Sequence, residues 1–231
     1  MIWAIVPAKT LEHAKTRLAR ALTPDERRAL SLAMLRDVLG ALGAARNLDR
    51  VAVVTADPAL ETVASEAGAL VIPETTAGQN AALEAGAAYS REQGAGAVLV
   101  VSADLPLLTA AAVERLIAQG MQAQPSRLVL LAPSLDGTGT NAMLQRPPGV
   151  IPFLFGTNSL QRHQQAAAER DVQADLARAR AWAFDVDLPA DLLELAASPG
   201  QTHTQAALAH LRLPQRLHER FYRELSFPWP Q

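Results

Sequence analysis

The chain has no cysteine among its 231 residues. That excludes disulfides, thiol nucleophiles and Cys-ligated zinc, and it fits a reducing compartment. Aromatic residues are only 4% of the chain, so any core must be built from aliphatic side chains and alanine. There is no excess of charge of either sign: 21 Lys and Arg face 23 Asp and Glu, a formal net charge of −2. Without a basic field, neither a nucleic acid nor an anionic membrane surface is an expected partner. No apolar run approaches the roughly 18 residues that a transmembrane helix needs. The opening MIWAIVPAK is apolar only through Val6 and has no basic start, unlike a secretory signal. The expectation is a soluble, cytoplasmic protein. A Walker A phosphate loop, a dinucleotide fingerprint and a nucleophile elbow are all missing as well.

What is present is an alternation. The chain is 49% hydrophobic, enough for a sizeable core. Short Val, Ile and Leu runs read as strands at Ile2–Val6, Arg50–Thr55, Ala69–Ile72, Val98–Ser102 and Leu128–Ala132. Between them lie helical stretches with start signals. Thr23-Pro24-Asp25-Glu26 is a capping box with proline at the first helical position, opening a helix to about Ala44 with Leu30, Met34, Leu35, Val38 and Leu42 on one face. Asp57-Pro58 opens a second helix, Gly78 to Gln93 is a third, and Thr109 caps a fourth. Asn158 or Ser159 caps a fifth, and Pro189 opens a sixth. Strand–helix alternation predicts an α/β fold: a three-layer αβα arrangement around a mainly parallel twisted sheet. RPPGVIPFLF (146–155) interrupts the pattern and reads as an insertion carrying an antiparallel strand. The tail, His203 to Gln231, reads as a helix and then an aromatic arm, HERFYRELSFPWPQ.

Ligands of open parallel sheets bind beyond the carboxyl ends of the strands, so the loops there carry the functional reading. After the first strand, PAKTLEHAKTR places Lys9, Lys15 and Arg17 before a helix, an arrangement that suits a polyphosphate. After the third, Gly78 allows close approach of a ligand and Asn80 can pair with a base or ribose. After the fourth, VSADLP puts Asp104 at the rim of the sheet, with Pro106 closing the strand. With no cysteine and few histidines, a metal held there must be held by oxygen, which favours magnesium. The second carboxylate is expected from FDVDLPADL, after a strand-like run at Ala181–Phe184. There Asp185 and Asp187 point to one side and Val186 to the other. After the fifth strand, SLDGTGTN is a donor-rich loop for an anion, and FGTNSLQRH opens a helix whose early turns carry Arg162 and His163. Taken singly, each of these is equally served by an ordinary turn or cap, and His163 by a surface position. Together they gather cations, acids and anion loops at one edge.

As a set, VPAKTLEHAKTRLA, SADLP, DGTGTN, FGTNSLQRH and FDVDLPADL resemble the 2-phospho-L-lactate guanylyltransferase family, which contributes to making coenzyme F-420. The resemblance runs in order from residue 2 to about 195. It implies the nucleotide-diphospho-sugar transferase-like (nucleotidyltransferase) fold as a single domain over residues 1–200. Residues 201–231 would then be part of that domain or a subunit contact in a homodimer. Many members of the wider superfamily open with a glycine-rich loop, where this chain has VPAKTLEHAKTRL.

The implied reaction joins GTP to a phosphorylated three-carbon acid (2-phospholactate, phosphoenolpyruvate or 3-phosphoglycerate) and releases pyrophosphate. The resemblance implies Asp104 as a magnesium ligand, with Asp187 as the second and Asp185 as its substitute. It implies Lys9, Lys15 and Arg17 on the triphosphate, with Asp104, Lys15 and Lys9 as the catalytic set. Pro7, Ala8, Ala103, Pro73 and Asn80 would face the nucleotide. Thr140, Asn141, Gly156 and Ser159 would grip the acid. Asn141 matches the G-T-N form of that loop, where some relatives carry a second threonine. A nucleotidyltransferase for another acceptor, such as molybdopterin or a sugar phosphate, and a nucleotide-binding regulator without catalysis are the competing readings.

Overall fold

The computed structural model describes residues 1–76, 78–124, 126–213 and 215–216. Seven strands form one sheet: β1 (Ile2–Pro7), β2 (Arg50–Thr55), β3 (Leu70–Pro73), β4 (Ala97–Val101), β5 (Leu128–Pro133), β6 (Thr140–Arg146) and β7 (Gln173–Leu176). Their order is β3-β2-β1-β4-β6-β5-β7. Only β6 runs against its neighbours, pairing antiparallel with β4 and β5. The helices are α1 (Pro24–Gly43), α2 (Pro58–Glu66), α3 (Gln79–Glu92), α4 (Ala110–Gln122), α5 (Ser159–Ala168), α6 (Arg180–Ala183), α7 (Pro189–Ala197) and α8 (His203–His210).

The strand period of two sorts the core into layers. In β1, Ala4 and Val6 pack with Leu35 and Val38 of α1, Leu60 and Val63 of α2, and Val113 and Leu116 of α4. Ile5 between them faces the other way, into a cluster that also holds Leu83 of α3 and, further along the sheet, Ala166 and Ala167 of α5. Strands β1, β4 and β5 are apolar throughout because both of their faces are covered. Full burial of one such Leu or Val stabilises by about 1.5–3 kcal/mol. A third cluster joins Leu30 and Met34, on the outer side of α1, to Leu192 and Leu195 of α7 and Leu208 of α8. The expected three-layer αβα architecture is the one observed.

Helix α1 begins on the predicted capping box: the Glu26 N–H donates to Thr23 Oγ1 (3.3 Å) and the Thr23 N–H to Glu26 Oε2 (2.8 Å). Helix α8 is fixed to the same body by Asp37 of α1, which accepts from the backbone N–H groups of His203 (2.7 Å) and Thr204 (2.9 Å). The aromatic arm, residues 218–231, lies outside the described residues. No helix among the described residues is long and apolar enough to cross a membrane.

Two expectations are corrected, and one strand was not foreseen. The antiparallel strand is TNAMLQR, not part of 146–155: the turn at Ser134–Gly139 is too short for a crossover, so the chain must return antiparallel. Its buried Gln145 is satisfied by Ile151, donating to the carbonyl (3.0 Å) and accepting from the N–H (3.5 Å). The edge strand β7, QADL, is short and polar and carries no strand signal. The strand-like run at 181–184 lies in and just after helix α6. Both sides of β5 are already paired, by β6 and β7, so this run packs over β5 and β6 with Trp182 buried in the core.

Candidate active site

Strands β1 and β4 are parallel neighbours, with Ile5 opposite Val100, so the segments leaving their carboxyl ends converge. The segment after β1 is anchored at three points. The Ala8 N–H donates to the Val54 carbonyl (3.0 Å). The Leu11 N–H donates to Oδ2 of buried Asp57 (2.9 Å), whose Oδ1 caps α2 through the Ala59 N–H (2.9 Å). Arg27 of α1 donates from Nε to the Ala14 carbonyl (3.1 Å). The chain then turns at Lys15 with φ 51 and ψ 45, a left-handed conformation that costs a non-glycine residue about 1 kcal/mol or more.

Lys15 projects from this turn onto the acids. Its Nζ donates to Asp104 Oδ2 at 2.5 Å and to Asp187 Oδ1 at 2.8 Å. Arg17 Nη1 donates to Asp187 Oδ2 at 3.1 Å. Burial alone would lower the Lys15 pKa, but the charges of Asp104 and Asp187 and their hydrogen bonds outweigh it and push it up to about 12.

The Val186 N–H donates to the Asp104 carbonyl (3.3 Å), tying the two acid-bearing segments together. Val186 is buried while Asp185 and Asp187 on either side of it are partly exposed, as alternation predicts. One oxygen from each of Asp104, Asp185 and Asp187 lies within 4.8 Å of the other two. Burial, and next the neighbouring Asp104 charge, raise the Asp185 pKa. Asp104 Oδ1 is buried and without a partner among the described residues. An unsatisfied buried carboxylate oxygen is costly. A divalent cation on the triad would satisfy it, and an all-oxygen donor set suits a hard ion.

A cleft of about 470 Å³ opens beside the triad. Pro7, Ala8, Lys9, Lys15, Arg17, Ala103, Asp104 and Asp187 all line it, so eight of the expected positions come together there. Thr10, Gln79 and Ser102 also line it, and the sequence reading missed them. Asp57 was read only as a cap; its second role, holding Leu11, leaves no trace in sequence spacing. Pro73 sits exposed at the end of β3 and is not among the residues that line this cleft. The Asn80 amide is engaged with the backbone: Oδ1 accepts from the Phe155 N–H (2.9 Å) and Nδ2 donates to the Phe155 carbonyl (3.2 Å).

The four residues expected on the acid form a second group. Thr140 and Ser159 are buried, and the Thr140 N–H donates to Ser159 Oγ (2.9 Å), fixing the start of β6 to the start of α5. Gly156 is exposed with φ 119, which favours glycine. The Asn141 amide donates to the Trp182 carbonyl (3.0 Å), the Ala183 carbonyl (3.2 Å) and Asp185 Oδ1 (3.1 Å). That nitrogen therefore braces the acid-bearing segment and links this group to the triad. The SLDGTGTN loop is filled from within. Asp136 accepts from the Ser134 hydroxyl (2.6 Å) and from the Thr138 N–H (3.0 Å) and hydroxyl (2.8 Å), which hold its pKa at about 2.

His163 is fully buried, not at the surface. Its Nε2 accepts from the Leu154 N–H (2.9 Å), so the proton belongs on Nδ1, 3.1 Å from Thr140 Oγ1. Burial, and next the Arg162 charge, lower its pKa to about 4. It is a neutral brace and supplies no cation for an anion.

The sheet order, the three acids at its carboxyl edge and the cation-bearing first loop define a protein of the nucleotidyltransferase class. A crystal structure of a Desulfovibrio desulfuricans G20 protein taken to be a nucleotide-diphospho-sugar transferase shares the fold. It has a TM-score of 0.75 at 16% identity, covering 93% of this chain and 97% of that one. The chain belongs to the family described as guanylyl transferase CofC like, whose model matches residues 2–224. It is 43% identical over 193 residues to the phosphoenolpyruvate guanylyltransferase of Sphaerobacter thermophilus, covering 84% of this chain and 91% of that protein. It is 36% identical over 197 residues to the 3-phospho-D-glycerate guanylyltransferase of Colwellia psychrerythraea, covering 84% and 92%.

Proposed function

We propose that this chain is a cytoplasmic guanylyltransferase that condenses GTP with a phosphorylated three-carbon acid, giving a guanosine-diphosphate-linked acid and pyrophosphate in coenzyme F-420 biosynthesis. The observation that carries the proposal is the convergence of Lys15 and Arg17 with Asp104 and Asp187 in one cleft, with Asp185 beside the two acids. The names of the relatives, which specify phosphoenolpyruvate or 3-phosphoglycerate, support the acid class.

The chemistry needs no general base. An oxygen of the acid's phosphate is already anionic and attacks the α-phosphorus of GTP. The new P–O bond forms as the bond to the β-phosphate breaks, and pyrophosphate leaves with the electron pair. Lys15 and Arg17 stabilise the charge on the triphosphate, and Lys9 at the rim of the cleft adds to that field. Asp104, Asp185 and Asp187 would hold magnesium. When bound, it neutralises phosphate charge and reduces repulsion between the two anions. Thr140, Gly156 and Ser159 orient the acid, with Asn141 bracing Asp185. Positioning and charge supply the rate.

The test is pyrophosphate release with magnesium across GTP, CTP and UTP, each offered the three acids, a sugar phosphate and molybdopterin. Release confined to GTP with an acid supports the reading. Release with GTP and a different acceptor, or with another nucleotide, would replace it.

A further inference from the structure

The segment Phe153–Phe155 leads into Gly156, and its three consecutive N–H groups are all taken by side chains. Phe153 donates to Glu84 Oε1 (3.2 Å), Leu154 to His163 Nε2 (2.9 Å) and Phe155 to Asn80 Oδ1 (2.9 Å). Asn80 also donates back to the Phe155 carbonyl (3.2 Å). In a strand, such groups would pair with neighbouring backbone. Here two helices hold them instead. Asn80 and Glu84 lie four residues apart on α3 and share a face, as Ser159 and His163 do on α5. The His163 ring meets Phe155 edge-on at 4.9 Å and reaches Thr140 through Nδ1, while Ser159 binds the Thr140 N–H. Gly156, Thr140 and Ser159 are therefore located by groups that do not themselves face the cleft. Gln79, next to Asn80, lines that cleft.

We infer that Asn80 and His163 are positioning residues of the acid site, clasping residues 153–156 so that Gly156, Thr140 and Ser159 meet the acid together. This rests on the reading that those three residues grip the acid. The clasp acts on the acid and not on the nucleotide, which binds to the loop after β1, held independently by Asp57 and Arg27.

The experiment is steady-state kinetics with GTP and phosphoenolpyruvate, repeated with the other two acids, for Asn80→Ala, His163→Leu, His163→Gln and Glu84→Gln. Losing one or two hydrogen bonds that fix the segment raises the acid KM about tenfold or more in Asn80→Ala and His163→Leu. The GTP KM stays within about twofold, since no contact to the first loop is touched. His163→Gln, which retains an acceptor for the Leu154 N–H, recovers most of the loss, and Glu84→Gln, which keeps its acceptor oxygen, serves as the control. A cooperative thermal transition certifies each fold, and Asn80→Ala carries the test if His163→Leu does not fold. An unchanged acid KM, an equal rise in both KM values, or a rise confined to GTP overturns the inference. A wild-type chain that neither binds nor turns over any of the acids overturns the functional reading and this inference with it. Variants of unchanged acid KM beside an active wild type overturn this inference alone.

Discussion

Lys15 Nζ lies 2.5 Å from Asp104 Oδ2, with Asp187 Oδ1 at 2.8 Å on its other side. The ammonium thus stands among the carboxylates proposed to hold the metal, and metal and lysine compete for them. Lys15→Met should bind Mn2+ more tightly than wild type in the absence of nucleotide, by about tenfold, because a unit charge is removed from a largely buried position beside the acids. Titration followed by the free-ion electron paramagnetic resonance signal measures this. Affinity unchanged or weakened by the substitution contradicts the competition. Turnover in the same variant should fall by about 10²-fold or more, as a stabilising charge is lost.

Asp104→Asn should reduce turnover by about 10²-fold or more while leaving the thermal transition in place. Its Oδ1 has no partner to lose, and Lys15 keeps Asp187. Pyrophosphate release and circular dichroism on one preparation check both halves.

Asp57→Ala should cost about 2–3 kcal/mol, from a lost helix cap and an unpaired Leu11 N–H. It should also raise the GTP KM, because the first loop loses the anchor at Leu11, which lines the cleft. Denaturant unfolding gives the first number and kinetics the second. An unchanged GTP KM would show that the loop is held without Asp57.

His163 makes stability depend on pH. Folded, it titrates at about 4; unfolded, near its ordinary 6.5. As pH falls through that window the unfolded chain takes up the proton first. The His163 contribution is therefore whole above pH 6.5 and is lost progressively toward 4, by up to about 3 kcal/mol. Denaturant unfolding of wild type and His163→Gln at pH 7 and pH 4.5 measures it. The variant should show a shallower decline, and equal declines would contradict a neutral buried imidazole.

The core strands were legible because β1, β2, β4 and β5 are buried on both faces and must be runs of Val, Ile, Leu and Ala. β6 was hidden because Asn141 and Gln145 are polar in the sequence, and only the fold supplies Trp182, Asp185 and Ile151 to pair them. The run at 181–184 has strand composition but no free strand edge to join. In the site, the rule that parallel sheets bind at their carboxyl edge brought Lys15, Asp104 and Asp187 into one hypothesis, although they are 89 and 172 residues apart along the chain from Lys15. The second group was harder to read. Asn80, Asn141 and Asp136 have the side chains of ligand-binding residues, yet their partners lie within the protein, and no spacing reveals which of a residue's hydrogen bonds the fold has already taken.

The most direct measurement is mass spectrometry of the products formed from GTP and magnesium with 2-phospholactate, phosphoenolpyruvate and 3-phosphoglycerate in competition. A guanosine-diphosphate-linked three-carbon acid, formed in step with pyrophosphate and lost in Asp104→Asn, is the predicted result. Intact GTP beside all three acids, or an adduct that persists undiminished in Asp104→Asn, would contradict it.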